Sequence, residues 1–311
     1  MTGESLAGRD LISLLDFTTE ELERILELAG EVKANPLHFS TALSGKTLFL
    51  YFEKPSLRTR VTFEAGMTQL GGHAIYYTAA EGRIGVRESV EDVARNLERW
   101  VDASMCRTFS HELIKELANF AEIPIINGLT DHLHPCQALA DYMTLQEVKG
   151  ALKGRRLVYI GDGNNVANSL MYGGARLGVD VTVITPPGYA PAEEVVAAAR
   201  AAGEQTGATI DVGEDLGRVE GADAVYTDVW ASMGQEAESE DRKKIFMPYQ
   251  VTMQVMERAG ADTVFMHCLP AHRGEEVTSE VADMPRSVIF QQAENRLHAQ
   301  KAVLLAVMGG E

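Results

Sequence analysis

The chain has 311 residues, 45% of them hydrophobic and 23% charged, and its 45 acidic against 28 basic residues give a formal net charge of -17. This composition excludes a disordered tail, a collagen-like fibre and a small disulfide-stapled scaffold, and leaves room for one large domain or two of about 150 residues. Net repulsion from a polyphosphate argues against a nucleic-acid partner, but not against a local basic pocket for one small anion.

Taken in chain order, the first predicted element is a helix from about Thr19 to Lys33. Thr18 and Glu21 have capping-box spacing there, and Leu22, Ile25 and Leu26 share a face. A strand at Thr47 to Phe52, a helix from Ser56 to Leu70 and a strand near Ala74 to Tyr77 follow. Next come a helix from Ser89 to Trp100, a strand at Ala103 to Arg107, a helix beginning near His111 and a strand at Ile123 to Asn127. Beyond these, strands are expected at Leu157 to Ile160, Val181 to Thr185, Ala208 to Val212, Ala224 to Asp228 and Thr263 to His267, with helices between them. Short Val- and Ile-rich runs alternating with helices indicate parallel sheets covered on both faces. Two longer helices, Pro135 to Val148 and Gln292 to Met308, break the rhythm.

The fold class is therefore α/β: two parallel-sheet α/β domains linked by two interdomain helices. The expected division is residues 1–134 plus 292–311, an interdomain helix at 135–150, and a second domain at 151–291. Two such domains place a ligand at the carboxyl ends of their strands. Cys106, Cys136 and Cys268 are an odd set without close spacing, so no disulfide framework is expected. The opening residues lack a basic stretch followed by an apolar run, and no apolar run nears the roughly 18 residues of a membrane span. The expectation is a soluble cytoplasmic protein with no membrane partner.

Five segments carry chemistry. Phe52-Glu53-Lys54-Pro55-Ser56-Leu57-Arg58-Thr59-Arg60 follows a strand and opens a helix, where free N–H groups, two hydroxyls and a guanidinium suit a phosphate. A capped surface helix with solvated arginines fits the spacing equally. His134-Pro135-Cys136-Gln137 begins the Pro135 helix and could grip a carbonyl oxygen and an amide NH2 together; a plain His cap explains it too. Asp228-Val229-Trp230-Ala231-Ser232-Met233-Gly234 places a carboxylate at a strand end, as for a cationic substrate or an ordinary turn. His267-Cys268-Leu269-Pro270, with His272 nearby, invites zinc, but His132, His134, His267 and His272 lack metal-site spacing, so no metal is assigned. Gly161-Asp162-Gly163-Asn164-Asn165 begins like a dinucleotide fingerprint, yet Val166 stands where the third glycine belongs. No acidic residue closes the next strand, so nucleotide binding, and a dehydrogenase with it, is set aside.

Together and in this order, from Arg9-Asp10-Leu11 to Glu294-Asn295-Arg296-Leu297-His298, these segments resemble the aspartate/ornithine carbamoyltransferase family. Asp228 with Ser232-Met233-Gly234, and His267-Cys268-Leu269-Pro270, resemble its ornithine-using branch. The resemblance implies carbamoyl transfer from carbamoyl phosphate to the δ-amine of L-ornithine, with no cofactor, in a homotrimer or a multiple of trimers. It implies that Ser56, Leu57 through its N–H, Arg58, Thr59 and Arg107 hold the phosphate, and that Thr59, Arg107 and His134 polarise the carbonyl. Gln137 and the backbone of Cys268 and Leu269 would hold the carbamoyl NH2, and Arg296 would reach in from the last helix. Asn165, Asp228, Ser232 and Met233 would take the amino-acid end of ornithine, with Cys268 near the reacting amine. Leu57 stands where relatives often have Thr. Arg83 lies near a position that in the family's trimers is supplied by the neighbouring subunit. A carbamoyltransferase for putrescine or an acylated ornithine is the nearest rival.

Overall fold

The computed structural model describes residues 5–231 and 239–309. The chain divides into two compact units, Met1–Met143 with Asn295–Glu311, and Thr144–Glu294.

The first unit opens on helix α1 (Thr19–Ala34), whose capping box is formed as the sequence indicates: the Thr18 hydroxyl accepts from the Glu21 N–H, and the Glu21 carboxylate accepts from the Thr18 N–H. Strand β1 (Thr47–Phe52), α2 (Leu57–Gln69), β2 (His73–Thr78), α3 (Val90–Leu97), β3 (Ala103–Arg107), α4 (His111–Phe120) and β4 (Ile125–Leu129) follow. The sheet is four-stranded and parallel, in the order β2-β1-β3-β4. Tyr51, Cys106, Ile114, Leu117 and Ile125 form one cluster of its core.

Strand β4 starts two residues later than the apolar run suggests. Pro124 cannot donate to a ladder, so pairing begins at Ile125, whose N–H donates to the Asp10 carboxylate at 2.7 Å. Leu11 then bridges Ile126, with Asn127 N–H donating to Leu11 O at 2.8 Å, so the amino-terminal segment covers an edge that would otherwise be open.

Helix α5 (Pro135–Lys149) carries the chain past the unit boundary. The second unit then runs β5 (Arg156–Ile160), α6 (Asn165–Leu177), β6 (Asp180–Ile184), α7 (Glu193–Thr206), β7 (Ile210–Gly213), β8 (Ala224–Thr227), α8 (Ser239–Phe246), α9 (Met253–Ala259), β9 (Val264–His267) and α10 (Ser279–Ala282). Its sheet is five-stranded and parallel, β7-β6-β5-β8-β9. Val158 and Ile160 of β5, Val225 of β8 and Phe265 of the edge strand β9 are wholly buried, as expected of a sheet covered on both faces. The last helix, α11 (Ile289–Met308), returns the chain to the first unit. No helix among the described residues is long and apolar enough to cross a membrane.

Candidate active site

In the first unit the candidate residues gather after β1, after β3, at the start of α5 and on α11. Ser56 caps α2, its hydroxyl accepting from the Thr59 N–H at 3.4 Å. Leu57 is exposed, so only its N–H is available to a ligand at this helix end. Thr59 is buried, and its Oγ1 accepts from Arg107 Nη1 and from Arg296 Nη2, each at 3.3 Å. Arg296 Nη1 also donates to Gln137 Oε1 at 2.5 Å, and Gln137 Nε2 donates to Asp141 Oδ1 at 2.8 Å. These two partners fix which way the Gln137 amide points: its oxygen faces the guanidinium.

His134 is buried beside these cations. Burial, and then the charges of Arg296, Arg107 and Arg58, hold its imidazole well below the usual histidine range, so it is neutral near pH 7. A neutral imidazole can donate one hydrogen bond to a carbonyl oxygen without adding charge. Cationic groups and a helix N-terminus at one place make a receptor for a small dianion.

In the second unit the loops after β5, β8 and β9 converge. Asp228 is buried just beyond β8. Its Oδ2 accepts from Asn164 Nδ2 at 2.9 Å, and its Oδ1 accepts from Cys268 Sγ at 2.9 Å and from Val229 N–H at 2.8 Å. Asn164 is the N-cap of α6, its side-chain oxygen accepting from Val166 and Ala167 N–H at 2.9 and 3.2 Å. Gly163 is required because a Cβ there would run into the backbone at Ala190 and Pro191. The glycine thus serves a close loop approach within the unit rather than a pyrophosphate.

Leu269 follows Cys268 with φ 59, a left-handed conformation that costs a branched residue about 1–2 kcal/mol. It is held by its N–H, which donates to His267 Nδ1 at 2.8 Å, while His267 Nε2 lies 3.1 Å from Glu276 Oε1, both side chains fully buried. With Nδ1 accepting, the imidazole proton sits on Nε2 and is donated to Glu276.

The structure thus joins Ser56, Arg58, Thr59, Arg107, His134, Gln137 and Arg296 in one cluster, and Asp228 with Cys268 in another. Asn165 is the first residue of α6 and half-buried, whereas its neighbour Asn164 makes the contact to Asp228. Ser232 and Met233 lie outside the described residues. Arg83 is paired with Glu53 of its own chain at 3.0 Å. Asp228, His267 and Cys268 bring potential metal donors within 4.8 Å of one another, as do His272, Glu275 and Glu276. The first group is invisible to local spacing because Asp228 is distant in sequence, and both His267 nitrogens already serve Leu269 and Glu276. Asp141 and Glu276 escaped the sequence reading, whereas Asn164 was marked there together with Asn165 as one of two asparagines at a polar turn. Only Asp141, four residues beyond Gln137 on one helix, left a local signal.

Comparison with known proteins bears on both clusters. The carbamoyl-phosphate-binding domain of the aspartate/ornithine carbamoyltransferases matches residues 9–147, and their aspartate/ornithine-binding domain matches residues 153–307. The anabolic ornithine carbamoyltransferase of Pyrococcus furiosus is 54% identical over 98% of both chains. The Bacillus subtilis ornithine carbamoyltransferase is 50% identical over 99% of this chain and 96% of its own. A solved structure of the Pyrococcus furiosus ornithine carbamoyltransferase superposes with a TM-score of 0.96, covering 99% of this chain and 100% of that one.

Proposed function

This chain belongs to the aspartate/ornithine carbamoyltransferase family, and we propose that its two side-chain clusters divide one reaction between them, the first taking the anionic donor and the second the amine. It is a carbamoyltransferase, moving the carbamoyl group of carbamoyl phosphate to the δ-amine of L-ornithine to give L-citrulline and phosphate. The observation that carries the division of labour is the Thr59 hydroxyl held between Arg107 and Arg296 at the amino end of α2.

In this reading the phosphate lies on the N–H groups of Leu57, Arg58 and Thr59, with the Ser56 hydroxyl and the Arg58 and Arg107 guanidiniums. Thr59, Arg107 and neutral His134 polarise the carbonyl, and the Gln137 oxygen accepts from the carbamoyl NH2. Attack by the amine puts negative charge on the carbonyl oxygen, which collapses as the C–O bond to phosphate breaks, and the proton lost by the attacking nitrogen ends on the departing phosphate. Donors already aimed at both places lower that barrier, each worth about 3 kcal/mol. Asp228, with Asn165, Ser232 and Met233, binds the amino-acid head of ornithine, and Cys268 stands at the reacting amine. The active assembly is a homotrimer working in the cytoplasm.

Phosphate release from carbamoyl phosphate, measured with L-ornithine and with putrescine, tests the reading. Putrescine lacks the α-carboxylate and leaves polar groups of the head site unpaired, so ornithine should be favoured by about 10⁴-fold. Equal rates with the two amines would overturn the ornithine assignment. Because the δ-amine, with a pKa of about 10.4 like a lysine, must be neutral to attack, apparent affinity for ornithine should strengthen between about pH 7 and 9.

A further inference from the structure

The turn after His267-Cys268-Leu269-Pro270 carries three side chains, His272, Glu275 and Glu276, that take no part in the chemistry above. One potential ligand atom from each lies within 4.8 Å of the other two. Glu275 N–H closes the turn by donating to His272 O at 2.9 Å, and Gly274 N–H donates to Val277 O at 2.8 Å. Gly274 has φ 91, where a side chain would be strained. A neighbouring segment fixes the turn from outside: Gln250 Nε2 donates to Glu275 O at 2.7 Å, and Val251 N–H donates to Glu276 O at 2.9 Å. The backbone beneath the three side chains is therefore set before any ligand arrives.

Glu276 is the informative member. Its side chain is fully buried. Oε1 is committed, accepting from His267 Nε2 at 3.1 Å and from His272 N–H at 2.5 Å. Oε2 is also buried and accepts from no donor among the described residues. A buried carboxylate oxygen without a partner is unfavourable, and a bound cation removes that penalty. His272 and Glu275 are 55% and 36% exposed, so the group opens to solvent on their side. Glu275 Oε1 accepts from Lys243 Nζ at 2.9 Å, while its Oε2 lies 3.9 Å from His272 Nδ1. One ion bonded to both at about 2.1 Å spans that separation.

We propose that His272, Glu275 and Glu276 form a site for one divalent first-row metal ion, separate from the Asp228 and Cys268 cluster. One imidazole with two carboxylates is a nitrogen and oxygen donor set that accepts manganese(II) as well as zinc(II), whereas a set containing the Cys268 thiolate favours zinc. Water completes the coordination. The ion takes no part in carbamoyl transfer. It acts on the loop, because the carboxylate it binds also holds His267, whose Nδ1 accepts from the Leu269 N–H beside Cys268. Occupancy stiffens the segment from His267 to Glu276.

Manganese(II) is the probe, since a thiolate site competes poorly for it, and loss of its free-ion electron paramagnetic resonance signal reads binding directly. The full-length protein, first stripped with a chelator, should bind one manganese(II) per chain, and its thermal unfolding midpoint should rise with the ion. His272→Gln and Glu275→Gln, at partly exposed positions, should each raise the concentration for half-occupancy by about tenfold or more and abolish the thermal shift. Glu276→Gln is the poorer test, because the buried carboxylate also holds His267. Cys268→Ser should leave the manganese isotherm within about twofold. No stoichiometric uptake by the unaltered protein, or undiminished uptake by His272→Gln, would overturn the proposal. So would loss of uptake in a folded Cys268→Ser protein, which would place the ion at the thiol instead. None of these readouts depends on turnover, so failure of the carbamoyl transfer reading would show separately, as no phosphate release with ornithine.

Discussion

The cationic cluster of the first unit and the carboxylate–thiol cluster of the second occupy the same kind of position, the loops after parallel strands, yet they bury opposite charge. In the first, Arg107 and Arg296 converge on one threonine hydroxyl, and burial together with their charges keeps His134 neutral. In the second, Asp228 takes donors from Asn164 and Cys268, and its charge, after burial and the opposing pull of Arg242, helps raise Asp162 to about 6. Asp162 pairs with Arg242, whose Nε donates to Trp230 O at 2.5 Å. The comparison shows that strand-end geometry supplies only a place. In the proposed division of labour, the sign of the few charges enclosed there selects which substrate half it takes.

The largest way to break the comparison is to remove a charge from the first cluster. Arg107→Ala or Arg58→Ala should lower kcat by about 10²–10³-fold and weaken carbamoyl phosphate as well, since the same cation meets ground-state and developing charge. Arg58→Lys should recover only part, for lack of a bidentate fork. Steady-state kinetics on folded variants checks this, and unchanged constants would remove the residue from the site. The mirror experiment is Asp228→Asn. Losing a charge-assisted partner, worth about 1.5–3 kcal/mol, should cut ornithine-dependent turnover by roughly 10–100-fold. Carbamoyl phosphate binding, read by equilibrium titration without ornithine, should stay within about twofold. Equal damage to both ligands would erase the division of labour.

Acid should act on the two clusters in opposite directions. Asp162 has a folded-state pKa near 6, above the ordinary 3.8, so it binds protons more tightly folded than unfolded. Its contribution to stability is fully present below 3.8 and is lost as pH rises through about 6, an effect on the order of 3 kcal/mol. His134 is depressed when folded, so its contribution is present above 6.5 and is lost as pH falls below that value. Denaturant unfolding from pH 4.5 to 7.5 should therefore show Asp162→Asn losing an acid-side gain of the parent, and a His134→Gln protein losing an acid-side penalty. Parallel pH profiles of parent and variant would contradict the assigned environment. The smallest effect belongs to neither cluster: Thr18→Ala should cost about 1 kcal/mol through the α1 cap and leave kinetics untouched.

Local chemistry made much of this legible. The Thr18 box, the Ser56 cap, the strands β1 and β3 and the start of α5 are where short-range pattern puts them, because caps and apolar runs act over a few residues. The amino-terminal cover on β4 is a different matter. Leu11 and Ile126 are far apart in sequence, and nothing near either announces the other. The same holds within the clusters. The double asparagine at 164–165 marked a polar turn, but which of the two faces Asp228 follows from the N-cap rotamer of Asn164, a property of the folded turn.

By itself the sequence determined the alternating α/β order, the residue types at each strand end and, through their combination, the family. Those depend on the period of apolar residues and on which side chains cap, turn or carry charge. Only the tertiary structure decided the partners: Arg296 with Gln137 across 159 positions, Cys268 with Asp228 across 40, Glu53 with Phe109 across 56. Parallel strands need long crossovers, so residues that share a sheet edge are separated by a helix or more of chain. The charges and hydrogen bonds that set each cluster's chemistry exist only once those crossovers have closed.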